Sequence, residues 1–142
     1  TRVAYIVGNA QCIDILKSLK SNLDFGIFEP AQKVAALALD NAEVITENLR
    51  KVFAERHHLL SDGLRALGWD VAQSDGGMFV WAKFPFDMTS NEFAFKLIED
   101  VGIVTVPGTA FGSAGEGYVR LALVQNVEKL KEVLERLKSF KA

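Results

Sequence analysis

The sequence predicts an α/β protein in which one long helix joins an N-terminal strand-and-helix stretch to a small two-layer domain. Two patterns carry this expectation. Ile45, Leu49, Val52, Phe53, Leu60, Leu64 and Leu67 fall on one helical face. From Trp69 onward, short β-branched and aromatic runs alternate with helical patterns in the order β-β-α-β-β-α. The composition agrees, since 142 residues that are 49% hydrophobic and 24% charged suit a globular chain with one good core.

The elements follow in order. Thr1 to Asn9 reads "TRVAYIVGN", a β-branched and aromatic run closed by Gly8-Asn9, and predicts a buried strand. It opens without an initiator Met, so the chain is expected to continue a longer one, with Val3, Tyr5 and Val7 left short of cover. Cys12 to Lys20 places Ile13, Leu16 and Leu19 at helical spacing, and "SNLDFGIFEP" then breaks the pattern. Pro30 suits the first turn of a second helix, where its missing N–H costs nothing. A continuous helix from Ala42 to Leu67 would be about 39 Å long at 1.5 Å per residue, with Gly68 as its stop.

Beyond Gly68, "WDVAQ" predicts a short strand and "GGMFVWAKF", Gly76 to Phe84, a strong one. Thr89 and Glu92 match a capping box, opening a helix that buries Phe93, Leu97, Ile98 and Val101 and stops at Gly102. "IVTVPG" predicts a strand, "TAFGSAGEG" a Gly-rich loop and "YVRLALV" a last strand. Asn126 caps a closing helix whose Val127, Leu130, Val133, Leu134 and Leu137 face the sheet.

Charge and residue spacing exclude several functions. The net charge is −2 with Lys and Arg spread along the chain, which leaves no basic footprint for nucleic acid. The aromatic run from Asp75 to Trp81 lacks the Lys or Arg that an RNA-recognition strand needs. A lone Cys12 cannot form an intramolecular disulfide, and no apolar run reaches the roughly 18 residues of a membrane span, so a cytoplasmic setting is expected. His57 and His58 are neighbours on a helix with no His or Cys at i+3 or i+4, and are expected at the surface rather than at a metal site.

Arg120 is the residue that stands out. Alternation along "GYVRLALV" puts Tyr118, Arg120, Ala122 and Val124 on one face and the apolar Val119, Leu121 and Leu123 on the other. By pattern alone a charge there is first a residue of a solvent-facing sheet surface; the functional reading is a carboxylate anchor, because the planar guanidinium pairs with a carboxylate in two parallel hydrogen bonds. The segment Pro107 to Gly117 holds four glycines and Phe111. It reads as a long turn, or as the mouth of a site in which the backbone approaches a ligand and Phe111 forms an apolar wall.

Taken together and in order, "RVAYIVGN", "SNLDFGIFEPAQKVAALAL", "DGGMFVWAKFP", "VGIVTVPGTAFGSAGEGYVRLAL" and "VEKLKEVLERLKSF" resemble the C-terminal part of the class I/II, fold-type I aminotransferases that use pyridoxal phosphate. The flavour is that of the aspartate and LL-diaminopimelate subgroup, and the likeness covers nearly the whole chain. It implies that residues 1–41 are the end of the large cofactor-binding domain, 42–68 the connecting helix and 69–142 the small C-terminal domain. It implies transfer of an amino group between an amino acid and a 2-oxo acid, in a homodimer with shared active sites.

Arg2 would then bind the cofactor phosphate, with a surface arginine as the plain alternative. Arg120 would grip the substrate α-carboxylate beside Gly108 and Phe111, and Phe25, Gly26 and Ile27 would lie near the partner subunit's site. Thr1-Arg2-Val3-Ala4 matches only the tail of the motif that carries the cofactor-holding lysine, with Thr1 where an aromatic or large apolar residue is usual. That lysine is expected upstream, leaving no catalytic residue in this chain and no activity for it alone. Two other readings stay open: an amino-acid-binding regulatory module, and a dimerisation domain without a ligand.

Overall fold

The computed structural model describes residues 2–24 and 26–141. The chain forms two compact units that meet inside one helix, between Glu47 and Asn48.

In the first unit, α1 (Ala10–Leu23) is opened by Asn9, whose side chain accepts hydrogen bonds from the backbone N–H groups of Gln11 and Cys12. Helix α2 (Glu29–Asp40) carries Pro30 in its first turn. The expected N-terminal strand does not form among the described residues: Arg2 to Asn9 is irregular, and Val3, Tyr5, Ile6 and Val7 are exposed. Strand propensity expresses how well a residue fits a pleated, half-buried surface, and no neighbouring strand is present here to supply one. No described residue of this unit is buried.

Helix α3 (Ala42–Ala66) is one unbroken helix of 25 residues. Its apolar stripe has two fates. Ile45, Leu49 and Val52 are exposed, whereas Leu60 and Leu64 are buried in the core of the second unit. Arg56 Nη1 donates to the Leu123 carbonyl at 3.0 Å, and Arg65 Nε to the Val71 carbonyl at 3.0 Å, which ties this half of the helix to the sheet.

The second unit holds β1 (Asp70–Val71), β2 (Phe79–Lys83), α4 (Ser90–Val101), β3 (Val106–Pro107), β4 (Tyr118–Ala122) and α5 (Val127–Ser139), the order read from the sequence. The four strands form one antiparallel sheet in the order β1-β2-β4-β3. The strands are shorter than the runs that predict them, and the Gly-rich loop contains two 3₁₀ turns, Gly108–Phe111 and Ser113–Gly115.

Helix α4 carries the expected capping box: the Thr89 hydroxyl accepts from the Glu92 N–H, and the Glu92 carboxylate accepts from the Thr89 N–H. It ends on Gly102 with φ 66°, a left-handed conformation that costs glycine nothing. Its buried face is Ser90, Phe93, Ala94 and Leu97, while the expected Ile98 points outward. Phe93 is fully buried at the centre of an aromatic cluster with Trp69, Phe84, Phe86 and Phe140. One sheet face, with Val80, Ala82, Val119 and Leu121, is buried in this core. The opposite face carries the candidate site.

Candidate functional site

Strand alternation and register assemble the open face. Trp81 pairs with Arg120, Lys83 with Tyr118, Phe79 with Ala122 and Val106 with Arg120. Residues directly opposite in an antiparallel pair share a face, so Arg120 stands among aromatic side chains.

Its guanidinium carbon lies 4.2 Å from the centre of the Phe79 ring and 4.6 Å from that of Phe111. Both distances are within the roughly 6 Å reach of a cation–π contact. Trp81 stacks on Tyr118 at 5.5 Å and meets Phe111 edge-on at 5.7 Å, so Phe111 is held by a second ring. Arg120 is half-buried, and among the described residues its guanidinium has no carboxylate partner. Aromatic contacts orient a guanidinium without using its N–H groups. The edge of the fork is left to bind an anion of its own shape.

The loop that brings Phe111 to Arg120 is built by close backbone contact. Gly108 and Gly115 are both buried, and a Cβ on either would run into the other's carbonyl; on Gly108 it would also lie 2.9 Å from the Tyr118 carbonyl oxygen. Only glycine fits at this crossing. From the loop, Glu116 reaches α4: its carboxylate accepts from the Ser90 N–H at 2.6 Å and the Gly117 N–H at 3.1 Å. Those bonds, the Ser90 one first, hold its carboxyl below the usual value of 4.5, against a smaller opposing effect of burial. The fully buried Ser90 hydroxyl accepts from the Gly117 N–H at 2.8 Å and donates to the Gly115 carbonyl at 3.3 Å.

The model of the family Aminotransferase class I and II matches residues 1–137. The chain belongs to that family.

A curated relative, the LL-diaminopimelate aminotransferase of Halothermothrix orenii, is 41% identical over 138 residues, which are 97% of this chain and 36% of the relative. Among solved structures, an aminotransferase from Staphylococcus aureus matches with a TM-score of 0.85 at 30% identity, covering 94% of this chain and 35% of that one. The N-succinyldiaminopimelate aminotransferase from Mycobacterium tuberculosis matches with a TM-score of 0.78 at 30% identity, over 93% of this chain and 36% of that one. The chain therefore spans about a third of the length of the curated relatives it matches.

Aminotransferases of this family generally use pyridoxal phosphate. Of the groups such a cofactor needs, this chain offers the exposed guanidinium of Arg2, whose chemistry fits a phosphate. Of the lysines in α1 and α2, Lys20 pairs with Asp24 at 2.6 Å, Lys33 pairs with Glu29 at 2.8 Å, and Lys17 is exposed. The fit is to the phosphate end of the cofactor.

In the first unit, Gly26 (φ 114°) donates its N–H to Asp24 Oδ1 at 3.1 Å, and the Ile27 carbonyl accepts from Gln32 Nε2 at 2.6 Å. Phe25 lies outside the described residues. In the second unit, Phe111 and Arg120 are in contact, and Gly108 shapes the loop between them. His58 is exposed as expected, but His57 is half-buried, its Nδ1 3.2 Å from the Ser61 hydroxyl. Its pKa is lowered by burial first, and then by the charges of His58 and Arg65.

Sequence reasoning placed Tyr118 on the face of Arg120 but missed Phe79 and Trp81 as its neighbours, and Ser90 and Glu116 as anchors of the loop. Alternation shows that Phe79 and Trp81 share a face of β2. The register that sets this face beside Arg120 has no local signal.

Proposed function

We propose that this chain is the substrate-gripping C-terminal part of a pyridoxal-phosphate-dependent aminotransferase that moves an amino group between an amino acid and a 2-oxo acid. The observation that carries this is Arg120, a half-buried guanidinium held by Phe79 and Phe111 with its edge unpaired among the described residues. The carboxylate next to the reacting carbon is common to every amino acid and 2-oxo acid. A single fixed fork therefore serves both halves of the reaction.

In this reading Arg120 binds and orients that carboxylate, while Phe111 and the backbone at Gly108 wall the pocket and keep water from one side of it. Arg2 takes the cofactor phosphate. When bound, the cofactor supplies the electron sink for bond changes at the substrate α-carbon. Gly26 and Ile27 face the partner subunit's site in a homodimer. Residues 1–41 close the large domain, 42–68 connect, and 69–142 form the small domain. The names of the curated relatives make LL-diaminopimelate the donor to test first. A cytoplasmic setting suits the exposed free thiol of Cys12, and among the described residues no helix is long and apolar enough to cross a membrane.

The test is Arg120→Ala and Arg120→Lys in the whole enzyme. Losing a charge-assisted bidentate contact in a closed site costs about 2–5 kcal/mol. That is a fall in kcat/KM of roughly 30-fold to several thousand-fold at about 1.4 kcal/mol per factor of ten. Lys recovers only part of it, and cofactor affinity stays unchanged. An Ala variant within a factor of a few of the wild type overturns the assignment.

A further inference from the structure

We propose that Ser90 and Glu116 are positioning residues for substrate binding: together they latch the Gly-rich loop onto the start of α4, and so hold Phe111 against Arg120. The proposal rests on Arg120 being the carboxylate anchor.

Four hydrogen bonds make the latch. Glu116 accepts from the N–H groups of Ser90 and Gly117, and the Ser90 hydroxyl accepts from Gly117 and donates to Gly115. The capping box of Thr89 and Glu92 is complete without them, and it leaves the Ser90 N–H to Glu116, a carboxylate brought from a segment 26 residues away. What the latch fixes is the loop.

Gly115 is locked by its close contact with Gly108, and Gly108 opens the 3₁₀ turn that ends on Phe111. Gly112 and Gly115 donate their N–H groups back to Thr109 and Gly112, so the segment between moves as one piece. On the other side, Gly117 leads into β4, and its carbonyl accepts from the Phe84 N–H at 3.2 Å. Arg120 is three residues further on. The latch thus sits where the element that carries the anchor meets the loop that carries its aromatic cover, and it ties both to a helix rooted in the core through Phe93 and Leu97. An exposed loop with four glycines would otherwise sample many conformations.

The experiment uses the whole enzyme carrying Glu116→Ala, Glu116→Gln, Ser90→Ala or Arg120→Ala, assayed with amino acid and 2-oxo acid. Glu116→Ala and Ser90→Ala are expected to raise the KM of both substrates about 5- to 20-fold, with kcat within a factor of about three and cofactor affinity unchanged. This is the pattern of weakened uniform binding. Glu116→Gln keeps an acceptor oxygen in the same place and should restore KM to within about threefold of the wild type. A purely structural role would instead lower kcat and cofactor loading along with substrate binding.

A second readout is the NMR signal of the Arg120 side chain in the whole enzyme, shifted by the Phe111 ring. In Glu116→Ala it should lose part of that shift while the Val80 and Leu97 methyl signals stay in place. Unchanged KM and an unchanged Arg120 signal in Glu116→Ala, alongside a crippled Arg120→Ala enzyme, overturn the latch and leave the anchor standing. Unimpaired activity in Arg120→Ala removes the anchor, and the proposal falls with it.

Discussion

Phe79→Leu isolates the contribution of an aromatic ring to the orientation of Arg120. Phe79 sits opposite Ala122 on β4, one alternation step along from Trp81, and its ring centre is 4.2 Å from the guanidinium carbon. Leucine keeps apolar bulk on the strand but removes the π face. Phe79 is 40% exposed, so the contact belongs near the lower end of the cation–π range, about 1 kcal/mol. Freeing the long side chain returns part of an ordering cost that reaches about 2 kcal/mol for a fully fixed arginine. Phe111 still covers the group, so at most about half of that is regained before substrate must pay it again. The sum, about 1–2 kcal/mol, corresponds to a 5- to 30-fold weaker carboxylate contact.

Orientation of Arg120 is needed equally in the ground and transition states, so the loss should fall on KM and leave kcat nearly unchanged. Steady-state kinetics of the whole enzyme with amino-acid and 2-oxo-acid substrates reads this directly. Phe79→Tyr, which keeps the ring, serves as the control. The double variant Phe79→Leu/Phe111→Leu should lose more than the two single changes added together, because each ring covers for the other. If Phe79→Leu leaves KM within a factor of two while Arg120→Ala is severely impaired, the rings do not position the guanidinium and this reasoning is wrong.

Two further predictions concern the stability of the second unit. Phe93→Ala removes the buried hub shared by Trp69, Phe84, Phe86 and Phe140, and should cost about 3–5 kcal/mol in denaturant unfolding followed by far-UV circular dichroism; a loss under about 1 kcal/mol would deny the cluster its role. Glu92 and Glu116 are both held below the usual 4.5, the first by its hydrogen bonds with Thr89 and the second by that with the Ser90 N–H. A depressed carboxyl stabilises fully above its unfolded value, and that stability is lost as pH falls through the folded one. The melting temperature should therefore decline below about pH 4.5, and less steeply in Glu92→Gln/Glu116→Gln; an identical acid profile for the two proteins would refute the assignment.

Much of the second unit was legible because its signals are local. The Thr89–Glu92 box, the Asn126 cap, the Gly102 stop and the apolar spacing of α5 each act within one or two helical turns, and each appears where the sequence puts it. The alternation that separates Arg120 from Val119 and Leu121 is equally local, since it follows from the geometry of a single strand.

Other features depended on the company a residue keeps. Arg2 to Asn9 has the composition of a strand, but a strand exists only through the hydrogen bonds of a neighbour, and none of the described residues pairs with it. The stripe on α3 is continuous in sequence, yet only its second half meets a core. The residues around Arg120 come from β2, β4 and the loop after β3, and the serine and glutamate that anchor that loop are 26 residues apart. Sequence by itself determined the helices, the caps of α4 and α5, the face of β4 that carries the charge, and Arg120 as the residue to watch. Only the tertiary structure decided which rings surround that charge and what holds the loop beside it. Helix and strand periodicity is set by neighbours a few residues away, whereas strand register and loop closure are settled by contacts between segments distant along the chain.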